Sequence, residues 1–202
     1  VGIAERDRIG NSLADALLEN FEERGPYPLD AIGNAAARVL VPLASRFPAD
    51  VPSARARLAE LDLEIAGLPR GPEHLMRRKT LQEERAFVSN ALACLRGESY
   101  LTAEECLQRK APFDLSCVSF GPVRLLNYPG ELFSSVVAGL EQDAGGPLIV
   151  TSFADGVTGY LMPPEEVPEG GYESAWALFD PEAVAHLRGT GLELVRTHGS
   201  GS

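Results

Sequence analysis

The sequence predicts an α/β fold in which a helical N-terminal layer is followed by a mixed sheet. In the first part of the chain, apolar residues recur at helical spacing, as at Ile9, Leu13 and Leu17. From Phe113 onward, apolar residues instead alternate with polar ones or form short runs bounded by Gly and Pro, which is typical of strands. The 202 residues are enough to bury a substantial hydrophobic core.

Local patterns predict each element in turn. Helices are expected in the segments DRIGNSLADALLENFEERG, DVPSARARLAELDLEIAGLPRG and GPEHLMRRKTLQEERAFVSNALACLRG, with a short strand around residues 39–43. A hairpin is expected over residues 113–128, then a helix in LFSSVVAGLEQD and a strand buried on both faces in PLIVTSF. Strand, helix and strand in this order predict a βαβ unit with parallel strands and a right-handed crossover. A last helix is expected to be capped by Asp180, with Pro181 as its first residue.

Composition and charge exclude several classes of partner. The net charge of −11 argues against unspecific binding to nucleic acid or anionic lipid. No apolar run approaches the eighteen residues that a membrane span needs, and no signal peptide is visible. The three cysteines are odd in number and lack metal-binding spacing, so we expect buried, unpaired thiols, which favour a cytoplasmic location.

The expected domain covers residues 1–197, and residues 198–202 are expected to be a flexible tail. The first residue is Val1, so we expect the chain to be processed, trimmed or one piece of a longer protein.

A polar group follows each strand of the predicted βαβ unit. Glu131 comes after the turn Tyr128-Pro129-Gly130, and Tyr160 comes after the second strand and its own Gly-containing turn. Ligands gather beyond the carboxyl ends of parallel strands, which lie roughly 5 Å apart, so both groups can converge on one ion or substrate. The residues alone leave two other interpretations open. Glu131 can be a first-turn carboxylate favoured by the helix dipole, and Tyr160 and Tyr172 can be packing or loop aromatics.

Other reactive side chains receive no role from the sequence. The three histidines, His74, His186 and His198, are far apart and have no ligand spacing. Ser134, Ser135 and Ser152 have no neighbouring base in sequence, so a serine nucleophile in this chain is poorly supported.

An ordered set of short motifs resembles the neutral/alkaline ceramidase family and its bacterial ceramidase-like relatives. The motifs are PGE at residues 129–131, the strand and turn ending in GY at residues 153–160, PPEE at residues 163–166 and GGYE at residues 170–173. The resemblance is tight over about sixty residues and implies that the chain is the C-terminal half of a ceramidase-like catalytic domain. The family usually has Asn where this chain has Asp155.

The resemblance implies hydrolysis of an amide bond with one zinc ion. By this resemblance Glu131 and Tyr160 are zinc ligands, and Tyr172 donates a hydrogen bond to the developing oxyanion. A carboxylate and a phenol are oxygen donors that zinc accepts beside imidazoles. The family's two zinc-binding His and its nucleophilic Ser precede this block, and nothing in residues 1–119 looks like them. The N-terminal half of the same protein, or a separate subunit, is therefore expected to supply them.

The predicted function is thus part of a zinc-dependent amidohydrolase that cleaves or transfers the acyl group of an N-acyl amide, a ceramide-like one included. The alternative is a non-catalytic α/β binding subunit that has lost the metal site.

Overall fold

The structure, a computed structural model, describes residues 2–23, 31–154 and 156–197. Seven helices and six strands lie in these ranges, with 3-10 turns at Pro72–His74 and Pro164–Glu169. The helices are α1 (Ile3–Glu23), α2 (Val51–Gly67), α3 (Leu75–Leu95), α4 (Ala103–Gln108), α5 (Ser134–Asp143), α6 (Tyr172–Trp176) and α7 (Ala183–Thr197). The strands are β1 (Ile32–Pro42), β2 (Lys110–Phe120), β3 (Val123–Asn127), β4 (Glu131–Leu132), β5 (Leu148–Thr151) and β6 (Tyr160–Leu161).

The main sheet is mixed, with strand order β1-β2-β3-β5. Strands β1, β2 and β3 pair antiparallel, and β3 pairs with β5 in parallel, with Leu125 opposite Ile149. Helix α5 connects these two parallel strands, because parallel neighbours cannot be joined by a tight turn. The predicted α/β class, the hairpin and the βαβ unit are confirmed.

The core lies on one face of this sheet. Strand β2 alternates, so that Ala111, Phe113, Leu115 and Cys117 point into the core. Helix α7 packs on β1, β2 and β3, and helices α2 and α3 pack on each other. Edge-to-face contact between the rings of Phe113 and Phe179, 4.7 Å apart, joins the sheet to the segment before α7.

The three cysteines are buried and free, as predicted. Cys117 belongs to the alternating core face of β2, and Cys94 and Cys106 belong to α3 and α4. Among the described helices, none combines the length and apolar character needed to cross a bilayer.

Three local predictions differ from the structure. The PLIVTSF pattern predicts a strand buried on both faces, but β5 is an edge strand and Ile149 is 53% exposed, because none of the described elements covers that face. Strand β1 is longer than expected, since its pairing with β2 continues from Pro42 back to Ile32. Helix α7 begins at Ala183 rather than Pro181, because the Ala183 N–H bonds to the Asp180 carbonyl in a tighter turn at 3.0 Å.

The two ends of the chain differ in how far the structure tests their predictions. Helix α1 forms as predicted, and its apolar residues Ile9, Leu13 and Leu17 lie exposed. The tail at residues 198–202 lies outside the described residues.

Helix α7 contains two glycines in very different surroundings. A Cβ added at Gly191 would lie 2.1 Å from the hydroxyl oxygen of the buried Tyr128, which donates to the Leu187 carbonyl at 3.2 Å. A Cβ added at Gly189 would meet nothing within 4 Å.

We therefore expect Gly191→Ala and Gly189→Ala to change stability in opposite directions. Overpacking against Tyr128 should lower the free energy of unfolding of Gly191→Ala by about 1–3 kcal/mol. Gly189→Ala should raise it by about 0.5–1 kcal/mol, because Ala loses less conformational entropy in a helix. Urea denaturation of both variants measures this difference, and equal changes would contradict the packing of α7 described here.

Candidate metal-ligand pair and aromatic cluster

The chain leaves β3 through a turn in which position 130 has room only for glycine. After the buried Tyr128, Pro129 and Gly130 bring the backbone close to the segment before β6. A Cβ at Gly130 would lie 2.8 Å from Thr158 Oγ1 and 3.0 Å from the Gly159 carbonyl oxygen. The close approach lets the backbone pairing of the βαβ unit continue beyond its strand ends.

This continued pairing is visible as a series of backbone hydrogen bonds. The Tyr128 N–H donates to the Thr151 carbonyl at 2.9 Å, and the Ala154 N–H donates to the Tyr128 carbonyl at 3.0 Å. Further along, the Thr158 N–H donates to the Pro129 carbonyl at 3.1 Å. The two chain segments therefore stay side by side past the carboxyl ends of β3 and β5.

Glu131 and Tyr160 are direct neighbours in the resulting two-stranded ladder. Strands β4 and β6 pair in parallel, with Glu131 opposite Tyr160 and Leu132 opposite Leu161. The Glu131 N–H donates to the Gly159 carbonyl at 2.9 Å. Paired residues of neighbouring strands point to the same face, so the carboxylate and the phenol meet while Leu132 and Leu161 are buried.

The electrostatics of the pair favour the protonated phenol. Burial raises the pKa of Tyr160 above its ordinary value, and the negative charge of Glu131 and a hydrogen bond with its carboxylate raise it further. Tyr172 and Glu173 add smaller contributions in the same direction. The raised pKa therefore favours the neutral phenol over the phenolate beside the Glu131 carboxylate.

Tyr172 completes an aromatic cluster around Tyr160. The rings of Tyr160 and Tyr172 are 6.1 Å apart and nearly perpendicular, at 85°. The ring centroids of Phe133 and Tyr160 are 6.4 Å apart, and those of Trp176 and Tyr172 are 6.3 Å apart. Tyr172 remains 65% exposed, so its ring contacts two other rings while much of its surface stays accessible.

Two glycines aim Tyr172 at this cluster. Gly170 and Gly171 have φ values of 65° and 106°, which L side chains rarely adopt, and α6 begins at the next residue. The structure therefore brings together Glu131, Tyr160 and Tyr172, the three residues predicted from the sequence to form a site.

Sequence reasoning missed the support behind this site. Gly159 has φ 77°, and a Cβ there would lie 2.6 Å from the Trp176 carbonyl oxygen and 2.9 Å from the Tyr100 hydroxyl. Tyr100 is distant in sequence, so no local pattern could have placed it there. Its hydroxyl is buried without a hydrogen-bond partner among the described residues, and burial raises the pKa of this phenol.

The predicted ligand set is only partly present. Within residues 2–23, 31–154 and 156–197, no group of three or more His, Cys, Asp and Glu side chains could hold a metal ion. A catalytic zinc site uses three protein ligands and an open position, so Glu131 and Tyr160 fit as two oxygen donors but do not make a site alone. Asp155 and His198 lie outside the described residues.

His74, His186 and Ser152, which received no role from the sequence, lie in helices or turns. His74 ends the first 3-10 turn, and His186 lies in α7, where its carbonyl accepts a bond from Thr190. The Ser152 hydroxyl accepts a hydrogen bond from the Leu132 N–H at 3.3 Å, which links the turn after β5 to β4.

Comparison with known proteins gives little beyond a distant likeness. No protein-family model matches the chain, and no curated protein matches it. Among solved structures, the chain is similar to the neutral ceramidase from Pseudomonas aeruginosa, with a TM-score of 0.39 and 16% identity. That similarity covers 81% of this chain and 28% of the ceramidase chain. At this level the similarity carries no argument about the site.

The close packing behind Tyr160 predicts a large effect of Gly159→Ala. A positive φ and two contacts below 3 Å should lower the free energy of unfolding by at least about 2 kcal/mol. Gly146→Ala is the matched control, because its Cβ would meet nothing within 4 Å, and it should change stability by less than about 0.5 kcal/mol. Denaturation followed by the fluorescence of Trp176, the single tryptophan, compares the two. A Gly159→Ala protein as stable as the control would contradict the described packing.

Proposed function

We propose that this chain is part of a zinc-dependent amidase that cleaves or transfers the acyl group of an N-acyl amide. Glu131 and Tyr160 provide two metal ligands, and Tyr172 provides a hydrogen bond to the reacting carbonyl oxygen. The observation that carries the proposal is the register of β4 against β6, which puts Glu131 directly opposite Tyr160 with Tyr172 packed against the tyrosine ring. The motif resemblance of these same three residues supports the assignment.

The pair has the chemistry of half a zinc site. A carboxylate oxygen and a phenolate oxygen are both ligands that zinc accepts. Tyr160 would hold the cation as the phenolate, so metal binding would have to release the phenol proton, whose pKa the Glu131 carboxylate raises. When bound, zinc would polarise the amide carbonyl and acidify a water molecule or a hydroxyl nucleophile.

Tyr172 suits the role of an oxyanion donor. Its ring is braced between Tyr160 and Trp176, which limits the directions in which its O–H can point. As the amide carbon becomes tetrahedral, negative charge develops on the carbonyl oxygen, and a fixed O–H group then donates a stronger hydrogen bond. The glycines before α6 hold this tyrosine at the ligand pair without blocking its exposed side.

The rest of the site must come from elsewhere. Because no third ligand is grouped with Glu131 and Tyr160 in the described part of the chain, we propose that two His and the nucleophile belong to a preceding segment or to a separate subunit. Water as the acceptor of the acyl group gives hydrolysis, and an amine or hydroxyl acceptor gives transfer.

The lack of a third grouped ligand among the described residues also favours a second candidate function. With only two donors grouped in the part of the chain that the structure describes, the alternative is a non-catalytic α/β binding subunit in which the Glu131–Tyr160 pair is a structural hydrogen bond. The two candidates differ in metal content, which is measured directly.

We expect Glu131→Ala to lower zinc content and amidase activity together. The experiment uses the protein purified from its native gene with any polypeptide that copurifies, and zinc is measured by elemental mass spectrometry. Loss of one of two oxygen ligands should reduce bound zinc at least tenfold in a limiting-zinc competition with a chelator. Glu141→Ala is the control, because Glu141 is exposed on α5. Equal zinc in both variants would remove Glu131 from the ligand set.

We expect Tyr172→Phe to lower turnover while leaving zinc content unchanged. The ring and its packing on Tyr160 and Trp176 stay, and only the O–H donor is removed. Removal of one oxyanion donor should reduce kcat on an N-acyl amide about a hundredfold with little change in KM. A Tyr172→Phe enzyme with normal kcat would show that the hydroxyl does not contact the reacting oxygen.

A further inference from the structure

A second concave site lies away from the Glu131–Tyr160 pair, between α2, α3 and the segment 167–174. This α2–α3 cavity has a volume of about 680 Å³, which is within the range of small-molecule sites. Its apolar lining comes from Met76, Phe87, Val88 and Val167. Charged side chains surround this apolar floor, so the cavity has the two-part character of a site for an amphiphilic ligand.

Most of the charges that line the cavity neutralise one another. Arg57 donates to one oxygen of Glu84 from two nitrogens, at 2.7 and 2.8 Å. The Lys79 ammonium lies 3.6 Å from Glu83. These two pairs leave Arg46, on the loop after β1, which forms no ion pair with any carboxylate of the described residues.

Arg46 is held in place without a counter-ion. Its guanidinium stacks on the Phe87 ring, 3.9 Å from the ring centroid, and one nitrogen donates to the Ser174 carbonyl at 2.7 Å. Arg46 as a residue is nonetheless exposed, although its guanidinium is partly covered by Phe87, so its other N–H groups can reach a ligand in the cavity. Partial burial lowers its pKa, an effect that the more distant charge of Glu84 partly offsets.

We propose that the α2–α3 cavity binds a carboxylate that carries a medium-length alkyl chain. The carboxylate accepts hydrogen bonds from the guanidinium of Arg46, whose fork of N–H groups matches two carboxylate oxygens. The alkyl chain lies on Met76 and Val167, the apolar residues of the lining that are exposed. This proposal does not depend on the metal pair or on amidase activity.

The surrounding carboxylates are compatible with such a ligand. Glu83 and Glu84 are already paired with cations. Glu169 also lines the cavity, but it is exposed, so water and salt screen its charge. Stacking on Phe87 fixes the Arg46 plane before binding, which reduces the side-chain entropy that an anion would otherwise have to offset.

A tether is the competing role for Arg46, since the residue links Phe87 of α3 to Ser174 of α6. A tether affects stability but gives no preference between ligands. The ligand-binding role predicts a preference for a carboxylate over an alcohol of the same chain length, and this preference separates the two roles.

The test is calorimetric titration of the protein with octanoate and, separately, with octanol. We expect octanoate to bind at least tenfold more tightly than octanol, because a hydrogen-bonded carboxylate adds a charge-assisted interaction. Arg46→Gln should abolish this preference, Arg46→Lys should retain part of it, and octanol binding should not change. Arg55→Gln is the control, since Arg55 is exposed on the same helix as Arg57 but does not line the cavity.

A second variant keeps the test decisive if Arg46→Gln fails to fold. Thr80→Phe places a ring in the cavity without changing any charge, since Thr80 is an exposed residue of the lining. It should weaken octanoate binding at least tenfold. Equal affinity for octanoate and octanol, undetectable binding of both, or octanoate binding that survives Thr80→Phe would each overturn the proposal. Tighter binding of octyl phosphate than of octanoate would also overturn it, in favour of a phosphate site.

Discussion

The register of β4 against β6 is the constraint on which the candidate site depends. A shift of one residue would put Leu161 opposite Glu131 and turn Tyr160 towards the core. Two glycines hold this register, because Gly130 and Gly159 each approach a neighbouring backbone more closely than a Cβ would permit. A two-residue ladder is too short to be stable alone, so larger elements on both sides must fix its position.

Those larger elements are the βαβ unit and helix α7. The parallel pairing of β3 with β5 continues through backbone hydrogen bonds as far as Glu131, so the site extends the main sheet rather than forming a separate lobe. Tyr128, at the start of this extension, is fully buried and donates to the Leu187 carbonyl of α7. The absence of a side chain at Gly191 makes room for its hydroxyl. This buried, hydrogen-bonded tyrosine therefore anchors the turn that carries Glu131 to the core.

Much of this arrangement could be predicted from local sequence patterns, and the remainder depends on long-range packing. Alternation in β2, turn residues at Pro129 and Gly130, and the strand–helix–strand order predict that Glu131 and Tyr160 approach each other. The edge position of β5 could not be predicted, because an apolar run does not reveal how many neighbours its strand will have. The contact of Arg46 with Ser174 could not be predicted either, because the two residues are 128 positions apart in the chain.

The most direct test of the proposed metal site is native mass spectrometry of the protein expressed from its native gene, combined with zinc analysis. If Glu131 and Tyr160 are zinc ligands, the 21.6 kDa chain is recovered with a polypeptide that supplies the other ligands, covalently joined or copurifying, and with about one zinc ion per assembly. Recovery of the chain alone and without zinc would rule out this assignment. Glu131 and Tyr160 would then be a structural hydrogen-bonded pair in a binding subunit.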